Sequence, residues 1–457
     1  MAKRIVSILM CLAIVFSLAG CFGNKYDTDF TIKRRVGITN NNFYKLSAKD
    51  VKSIDNYEKK FNYFGVKYAS DSYLKCSIAY IVDEEEIREE FFLEPSKEEV
   101  DFYSFIDNAL EKVTAKKVIE FTCQPMNSQK ANVKISGFTV FLREVPKQEV
   151  YIETEKFKLG VDLLWGGALS YLEDLDSDVE AVKVDGKIKV DSNASDRYDT
   201  RAVNKKVNLI NRNDTGRLVQ QSYYGTIEAP YEPETYMENK WNYNPVQGGN
   251  QHNENSKIVD IKCTDTEIYV KCRPLDWAKS KEHITPSYME AWYRIENNNV
   301  HVKCRFTDFS GYPATSRTQE LPAFYCIEPL KTFVYYDGTE PFSKDNKLCI
   351  EDSLIFWPDA GYPNFKSVEQ WSAFRGEFSD SFGIGLYMPT HDTFLTGVYA
   401  RGETTEKDPS KAGPTSYIAV VKDYVFESFS PKEYDYYIST GTVDEIRNNF
   451  KEISDLV

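Results

Sequence analysis

The chain has little of what common metal and nucleic-acid sites need. Its 457 residues include four histidines and nine cysteines, and no two cysteines have the C-x-x-C spacing of a zinc site. No Asp-x-Asp-x-Asp-Gly calcium loop occurs. Positively charged residues are outnumbered by negatively charged ones: 56 Lys and Arg against 70 Asp and Glu give a net charge of -14. We therefore expect no metal, no cofactor and no nucleic-acid partner.

Long apolar runs are scarce, because charged residues interrupt all of them except the run at residues 5–16. Lys3 and Arg4 precede that run, which is short for a membrane span. It leads to the sequence LAGC at 18–21, which resembles the lipobox of bacterial lipoproteins. The resemblance implies a signal peptide and lipobox over 1–21, acylation of Cys21, for example with palmitate, and a mature chain outside the cytoplasmic membrane. An uncleaved anchor or a chance motif is the alternative.

The segment after the lipobox is polar, and we interpret residues 22–48 as a linker. Residues 49–148 are predicted to form a small β-sandwich, because short runs with alternating apolar residues are separated by polar turns. The alternation shifts phase at Gly137, as at a β-bulge. The pattern is similar to that of the jelly-roll modules found beside carbohydrate-active enzymes. The predicted strands are 73–82, 87–93, 100–105, 117–123 and 131–142.

Residues 149–457 are predicted to form a second, larger β-domain. Its opening has a strand, the pair Gly166-Gly167 and a second strand, and the glycines would permit a positive φ or a close backbone approach. This opening resembles the start of the galactose-mutarotase-like β-supersandwich. The resemblance implies a mainly β chain and a carbohydrate-facing function. Further strands are predicted at 258–263, 267–273, 288–296, 300–306, 323–327, 333–336, 383–388, 393–400 and 416–429.

The chain is predicted to end in a helix. Thr442 and Glu445 have the spacing of a capping box, and apolar residues recur on one helical face. These residues are Val443, Ile446, Phe450 and Ile453. The fold class expected from the whole sequence is therefore a small jelly-roll-like sandwich, a large supersandwich and a short C-terminal helix.

Candidate carbohydrate-binding residues gather between positions 207 and 249. Residues 217–224 are predicted to form a strand whose alternation places Arg217, Gln221 and Tyr223 on one face, with Tyr224 on the other. An irregular loop follows, and its aromatic and amide side chains suit a pyranose ring and its hydroxyls. The loop candidates are Trp241, Asn244 and Gln247. A polar-faced strand and a loop whose amides satisfy its own backbone are the competing interpretations.

Three residues are candidates for acid–base chemistry. His252 follows the loop, and Glu320 and Glu369 each lie beside a turn or an aromatic residue, so the two carboxyls would form a pair if they lined one cleft. In a β-elimination, Tyr223 or His252 would be the base and Arg217 would neutralise a uronate. A bystander histidine and solvated or ion-paired carboxylates are the simpler alternatives.

The family comparison implies a fold and not an activity. The characteristic His-aromatic-Phe-Asn phrase of the aldose epimerases is absent, and so is the helical toroid of the related lyases. Three hypotheses stay open: a surface lipoprotein that binds a glycan or oligosaccharide, with the lipid anchor as its contact with the membrane; an epimerase, hydrolase or lyase using the same cleft; and a structural envelope protein.

Overall fold

A computed structural model of the chain divides into two compact units: Met1–Asp107 with Glu111–Val145, and Asn108–Leu110 with Pro146–Val457. It describes residues 60–175, 207–280, 283–351, 364–376, 381–399, 406 and 408–456. It also describes the backbone of short strands at 28–30, 34–39, 44–47, 183–184 and 201–202. Cys21 and its neighbours lie outside the described residues.

The first unit is a two-sheet jelly roll. Its strands are β1 (Thr28–Phe30), β2 (Arg34–Thr39), β3 (Tyr44–Ser47), β4 (Tyr63–Ser70), β5 (Leu74–Val82), β6 (Glu85–Leu93), β7 (Ser96–Phe105), β8 (Lys117–Pro125) and β9 (Lys130–Phe141). One sheet has the order β1-β9-β4-β7, with β2 also paired to β9, and the other has the order β3-β8-β5-β6. This alternation of strands between two sheets is the jelly-roll arrangement.

Aromatic side chains fill the space between these two sheets. Phe64 lies 5.2 Å, centroid to centroid, from Phe91 of the other sheet, and Phe121 lies 5.6 Å from Phe138 in the same way. All four are nearly inaccessible to solvent. Their alternation along each strand explains why the sequence predicts a sandwich here.

Two features of the first unit differ from the sequence prediction. Strands β1–β3 fall in the segment interpreted as a linker, and they pair with β9 and β8. Strand β4, which lies inside its sheet, is missing from the predicted strands; its first four residues are all buried, and burial alternates only over residues 66–70. The predicted bulge is present: the β4–β9 register shifts where Lys67 pairs with Gly137 and Tyr68 with Ile135.

The second unit is built largely from antiparallel strands. They are β10 (Glu149–Glu153), β11 (Phe157–Asp162), β12 (Ala168–Asp174), β13 (Lys183–Val184), β14 (Arg201–Ala202), β15 (Val219–Ser222), β16 (Thr235–Tyr236), β17 (Asn239–Lys240), β18 (Pro245–Val246), β19 (Lys257–Cys263), β20 (Glu267–Arg273), β21 (Leu275–Asp276), β22 (Ser287–Glu296), β23 (Asn299–Asp308), β24 (Thr315–Ile327), β25 (Thr332–Tyr336), β26 (Leu348–Glu351), β27 (Asn364–Lys366), β28 (Trp371–Arg375), β29 (Gly383–Tyr387), β30 (Thr393–Tyr399), β31 (Thr415–Phe426) and β32 (Lys432–Gly441). Short 3-10 helices span Leu163–Trp165 and Pro409–Lys411.

Two large sheets form the body of this unit. The ten-stranded sheet has the order β10-β11-β12-β15-β24-β31-β30-β27, with β18 and β21 attached beside β15. The nine-stranded sheet has the order β19-β20-β22-β23-β32-β29-β28-β25-β26. Contacts such as Tyr223, directly after β15, stacked 4.1 Å from Phe306 of β23 show that the sheets pack face to face. The predicted mainly β fold class, with a small sandwich, a large one and a terminal helix, is confirmed.

The Gly166-Gly167 corner is as tight as the sequence suggests. Both residues have positive φ, 60° and 69°. A Cβ on Gly166 would lie 2.0 Å from the carbonyl oxygen of Gln247, and one on Gly167 would lie 2.4 Å from Val270. Only glycine therefore fits at this corner, which brings the 245–249 segment against the start of the unit.

The C-terminal helix α1 (Val443–Ser454) closes one side of the nine-stranded sheet. Thr442 and Glu445 form the predicted capping box, and the four predicted apolar residues are buried. No helix among the described residues combines the length and hydropathy that a membrane span requires.

Candidate functional site

The strand predicted over 217–224 is shorter and is twisted at its start. Leu218 has φ of 76°, a left-handed conformation that resets the alternation of side chains, and regular strand begins only at Val219. Arg217 therefore lies on the open face of the ten-stranded sheet together with Tyr224. Gln221 and Tyr223 instead point toward the nine-stranded sheet, so the predicted shared face of Arg217, Gln221 and Tyr223 is wrong.

The open face of the ten-stranded sheet carries a connected set of aromatic side chains. β24, β31 and β30 are neighbours, and their register places Tyr325 opposite Tyr417 and Tyr417 opposite Gly397. The Tyr325 and Tyr417 rings lie 4.4 Å apart. We give the name tyrosine patch to seven partly exposed residues, which are Tyr325 and six others near this pair: Arg217, Tyr224, Tyr236, Trp241, Glu320 and Tyr399.

Arg217 occupies one end of the tyrosine patch between two rings. Its guanidinium carbon lies 5.2 Å from the centroid of Tyr325 and 4.9 Å from that of Tyr399. Nη2 donates to the carbonyl oxygen of Gly413 at 3.5 Å, while Nε is buried without a hydrogen-bond partner. The two aromatic faces stabilise the cation and fix its direction.

Glu320 occupies another part of the patch and is hydrogen-bonded to tyrosines. The hydroxyl of Tyr224 donates to Oε2 at 3.0 Å, and buried Tyr417 also hydrogen-bonds to the carboxyl. Burial raises the pKa of Glu320, and the two hydroxyl donors only partly oppose that shift. Gln319 fixes the backbone of Tyr224 from both sides, donating to its carbonyl at 2.8 Å and accepting from its amide at 2.7 Å. A carboxyl with a raised pKa beside phenols is suited to proton transfer or hydroxyl binding.

Trp241 belongs to the patch, and Asn244 holds it in place. The indole Nε1 donates to Oδ1 of Asn244 at 3.0 Å, and Nδ2 of Asn244 donates to the carbonyl oxygen of Tyr223 at 2.8 Å. The Trp241 ring packs edge-on against Tyr236 at 5.0 Å and Tyr224 at 6.5 Å. Asn244 is 2% exposed, so its amide orients Trp241 and does not face a ligand.

Gln221, Tyr223 and Gln247 are also part of the fold's interior. Each is at most 2% exposed. Gln221 donates to the carbonyl oxygen of Glu290 at 3.0 Å and accepts from the Tyr223 hydroxyl at 3.1 Å. Gln247 donates to the carbonyl oxygen of Gly166 at 3.2 Å. Their polar groups join the two sheets, because a buried amide must find partners within the protein, and their predicted binding role does not fit these positions.

The structure does not bring the three acid–base candidates together. His252 is exposed in a turn, where its backbone amide donates to Asn250 at 3.0 Å. Glu369 is 1% exposed and lies before β28 of the nine-stranded sheet, where Arg447 pairs with it at 2.6 Å. Glu320 alone lies on the open face, so the predicted Glu320–Glu369 pair is wrong.

Four tyrosines of this site were missed by sequence reasoning. Tyr236, Tyr325, Tyr399 and Tyr417 come from distant parts of the chain, although Tyr236 lies five residues before Trp241 and Tyr325 five residues after Glu320. Tyr325 lies two residues after Ala323, so the two side chains share a face of β24. The predicted strand begins only at residue 323; a strand beginning at Thr315 would have linked Tyr325 to Glu320. Among the described residues, no group of three or more His, Cys, Asp or Glu is placed to hold a metal ion.

Comparisons with known proteins find similarity only to solved structures. No protein-family model matches the chain, and no curated protein matches it. Solved structures do align with about two thirds of the chain, at low sequence identity.

A galactose mutarotase related enzyme from Lactobacillus acidophilus is 9% identical, with 64% of this chain and 97% of that chain covered and a TM-score of 0.37. An α-galactosidase from Geobacillus stearothermophilus is 9% identical, with 65% and 41% covered and a TM-score of 0.31. A 4-alpha-glucanotransferase from Thermococcus litoralis is 9% identical, with 65% and 37% covered and a TM-score of 0.31. Superpositions this loose transfer no activity, substrate or site to this chain.

Proposed function

We propose that the protein binds carbohydrate on the tyrosine patch of its second unit. The observation that supports this is a continuous, partly exposed set of aromatic rings joined to one cation and one carboxyl on the same sheet face. Tyrosine and tryptophan offer flat apolar faces for the C–H surface of a sugar ring. Arg217 offers hydrogen-bond donors for hydroxyl or acidic groups of a sugar, and Glu320 offers an acceptor for its hydroxyls.

The direct test is retention on a glycan array, followed by titration calorimetry on each hit with the full-length protein in detergent. Trp241→Ala is expected to weaken binding about 10-fold, because the loop loses its ring platform. Trp292→Ala is the matched control, since Trp292 is a partly exposed tryptophan on the nine-stranded sheet and should change nothing. Silence of the wild type across the array, or equal binding by all three proteins, would remove carbohydrate binding from this patch.

A second candidate is an enzyme that acts on the bound sugar, and Glu320 favours it. Its raised pKa and its hydrogen bond from Tyr224 provide a proton donor–acceptor group beside the aromatic rings. For every sugar that binds, we would follow the anomer ratio, the reducing ends and the absorbance of unsaturated products. A turnover that is lost in Glu320→Gln while binding persists would establish catalysis. Unchanged sugars throughout would leave a binding protein.

We further propose that the chain is a lipoprotein anchored outside the cytoplasmic membrane through Cys21. The support is the LAGC sequence behind a basic and apolar leader. Cys21→Ser is expected to move the protein from the membrane fraction to the soluble fraction after salt and carbonate washes. Persistent membrane association of that variant would contradict the anchor.

A further inference from the structure

Arg217 differs from several other arginines of the second unit in having no carboxylate partner. Arg212 pairs with Glu149, Arg294 with Glu267, and Arg447 with Glu369. No carboxylate of the described residues lies within 4.0 Å of the Arg217 side-chain nitrogens, and the guanidinium instead contacts the Gly413 carbonyl and two tyrosine rings.

The acid nearest to Arg217 in the sequence, Asp214, hydrogen-bonds within its own turn. Its Oδ1 accepts from the backbone amide of Gly216 at 2.9 Å. The Arg217 charge nevertheless reaches its surroundings: burial raises the pKa of Tyr325, and Arg217 opposes part of that rise. A partly buried cation without an ion pair leaves room for an anion supplied from outside.

The position of the guanidinium is fixed before any ligand arrives. The rings of Tyr325 and Tyr399 flank it, Gly413 accepts from one terminal nitrogen, and Nε is buried beneath the surface without a partner. A buried donor left unsatisfied in a native fold costs free energy. The terminal edge of the guanidinium is the part that a ligand on the open face would meet.

We propose that the tyrosine patch selects an acidic sugar, with Arg217 binding its carboxylate. This inference rests on the proposed carbohydrate binding and adds the class of sugar. A planar guanidinium matches a planar carboxylate through two parallel hydrogen bonds, which a neutral hydroxymethyl group cannot make. Tyr325 links Arg217 to Tyr417 and so to Glu320, so the sugar ring lies across Tyr325 with its acidic group toward Arg217 and hydroxyls toward Glu320.

The test compares sugars that differ at one carbon. Galactose, galacturonate and galactose 6-sulfate share a ring and differ at C6, and glucose with glucuronate forms a second matched set. Oligogalacturonates and their carboxyl-reduced forms extend the comparison to longer chains. Each is titrated into wild-type protein, Arg217→Gln and the control Arg294→Gln, whose native guanidinium already pairs with Glu267.

We expect the wild type to bind a uronate about 10- to 100-fold more tightly than its neutral counterpart, the range for a charge-assisted hydrogen-bonded pair. Arg217→Gln should abolish that preference and leave weak binding of both sugars, while Arg294→Gln should retain it. Rising salt should weaken uronate binding only where Arg217 is present. Tighter binding of the 6-sulfate than of the uronate would show that Arg217 prefers a sulfate, and would overturn its assignment as a carboxylate-binding residue.

The remaining outcomes separate this inference from the proposed function. Equal wild-type affinity for acidic and neutral sugars would overturn acid selectivity and preserve carbohydrate binding. No binding of any sugar would overturn both. The wild-type comparison needs no substitution, so it decides selectivity even if Arg217→Gln fails to fold.

Discussion

Glu369 lies under helix α1 with both carboxylate oxygens occupied. Arg447 of the helix donates to both, the indole of Trp371 donates to Oε2 at 2.6 Å, and the amide of Phe342 donates to Oε1 at 2.6 Å. The same pairing with Glu369 raises the pKa of Arg447. This residue anchors a helix to a sheet and has no access to a substrate.

Replacing Glu369 by Gln should therefore cost stability and spare ligand binding. The variant leaves Arg447 without its buried counter-charge, which costs about 3 kcal/mol of the free energy of unfolding. Glu433→Gln is the control, because Glu433 also pairs with cations but its side chain is 47% exposed, and its loss should cost less than about 1 kcal/mol. Urea unfolding measures both, and equal losses would contradict the anchoring role.

Gln221 offers a second test at the level of one side chain. Its amide ties the Glu290 carbonyl to the Tyr223 hydroxyl between the two sheets. Gln221→Ala should lower the free energy of unfolding by about 2 kcal/mol, because both partners lose a buried hydrogen bond. Exposed Thr266→Ala should change it by less than about 0.5 kcal/mol. A stable Gln221→Ala protein that had lost glycan retention would instead support the direct ligand contact that the sequence suggested.

At the scale of elements, helix α1 is stabilised by a local cap and by a tertiary contact, and we expect the tertiary contact to contribute more to the free energy of unfolding. Phe450 is fully buried and its ring stacks 5.3 Å from Tyr387. Gly385 lies beneath it, and a Cβ there would lie 2.9 Å from the Phe450 ring. The helix thus packs closely on β29 because Gly385 has no side chain at the point of contact.

The two contributions should separate on mutation. Phe450→Ala should cost about 4 kcal/mol through the cavity that it leaves, and Thr442→Ala about 1 kcal/mol through the lost cap. Lys451→Ala, on the exposed side of the helix, should be nearly neutral. Thermal or urea unfolding gives the order, and a Thr442 effect as large as the Phe450 effect would show that the helix depends on local signals instead.

For the molecule as a whole, one buried acid makes stability depend on pH in an unusual direction. Asp276 is 3% exposed, and burial raises its pKa from 3.8 to about 6. The folded state holds the proton more tightly than the unfolded state between these values. This group therefore contributes stability below about pH 4, and the contribution is lost as the pH rises through about 6.

Asp276→Asn should remove that dependence. The free energy of unfolding of the variant, minus that of the wild type, should rise by roughly 2 kcal/mol between about pH 4 and pH 7. Parallel urea titrations across this range measure the difference. A difference that stays flat, or that falls with pH, would show that the carboxyl is not held protonated by the fold.

Particular residues show how far sequence reasoning reached. The Gly166-Gly167 corner, the Gly137 bulge and the Thr442 capping box are confirmed because each depends on a few adjacent residues. Arg217, Trp241 and Glu320 were singled out and do lie together on one face, and whether they bind sugar stays a proposal. Gln221, Tyr223, Asn244 and Gln247 were misplaced because a polar residue looks the same in sequence whether its partner is a ligand or a buried carbonyl.

The sequence by itself determined the mainly β character of this protein, since alternating apolar residues and turn glycines act over a few neighbours. Only the tertiary structure decided which polar residues face outward. Leu218 adopts a left-handed conformation within the packed sheet, and that single dihedral sends Arg217 to the open face while Gln221 enters the core. The tyrosine patch joins the residues flanking β15 with β16, β24, β30 and the loop at Trp241, and β15, β24 and β30 come together only when non-adjacent strands pair.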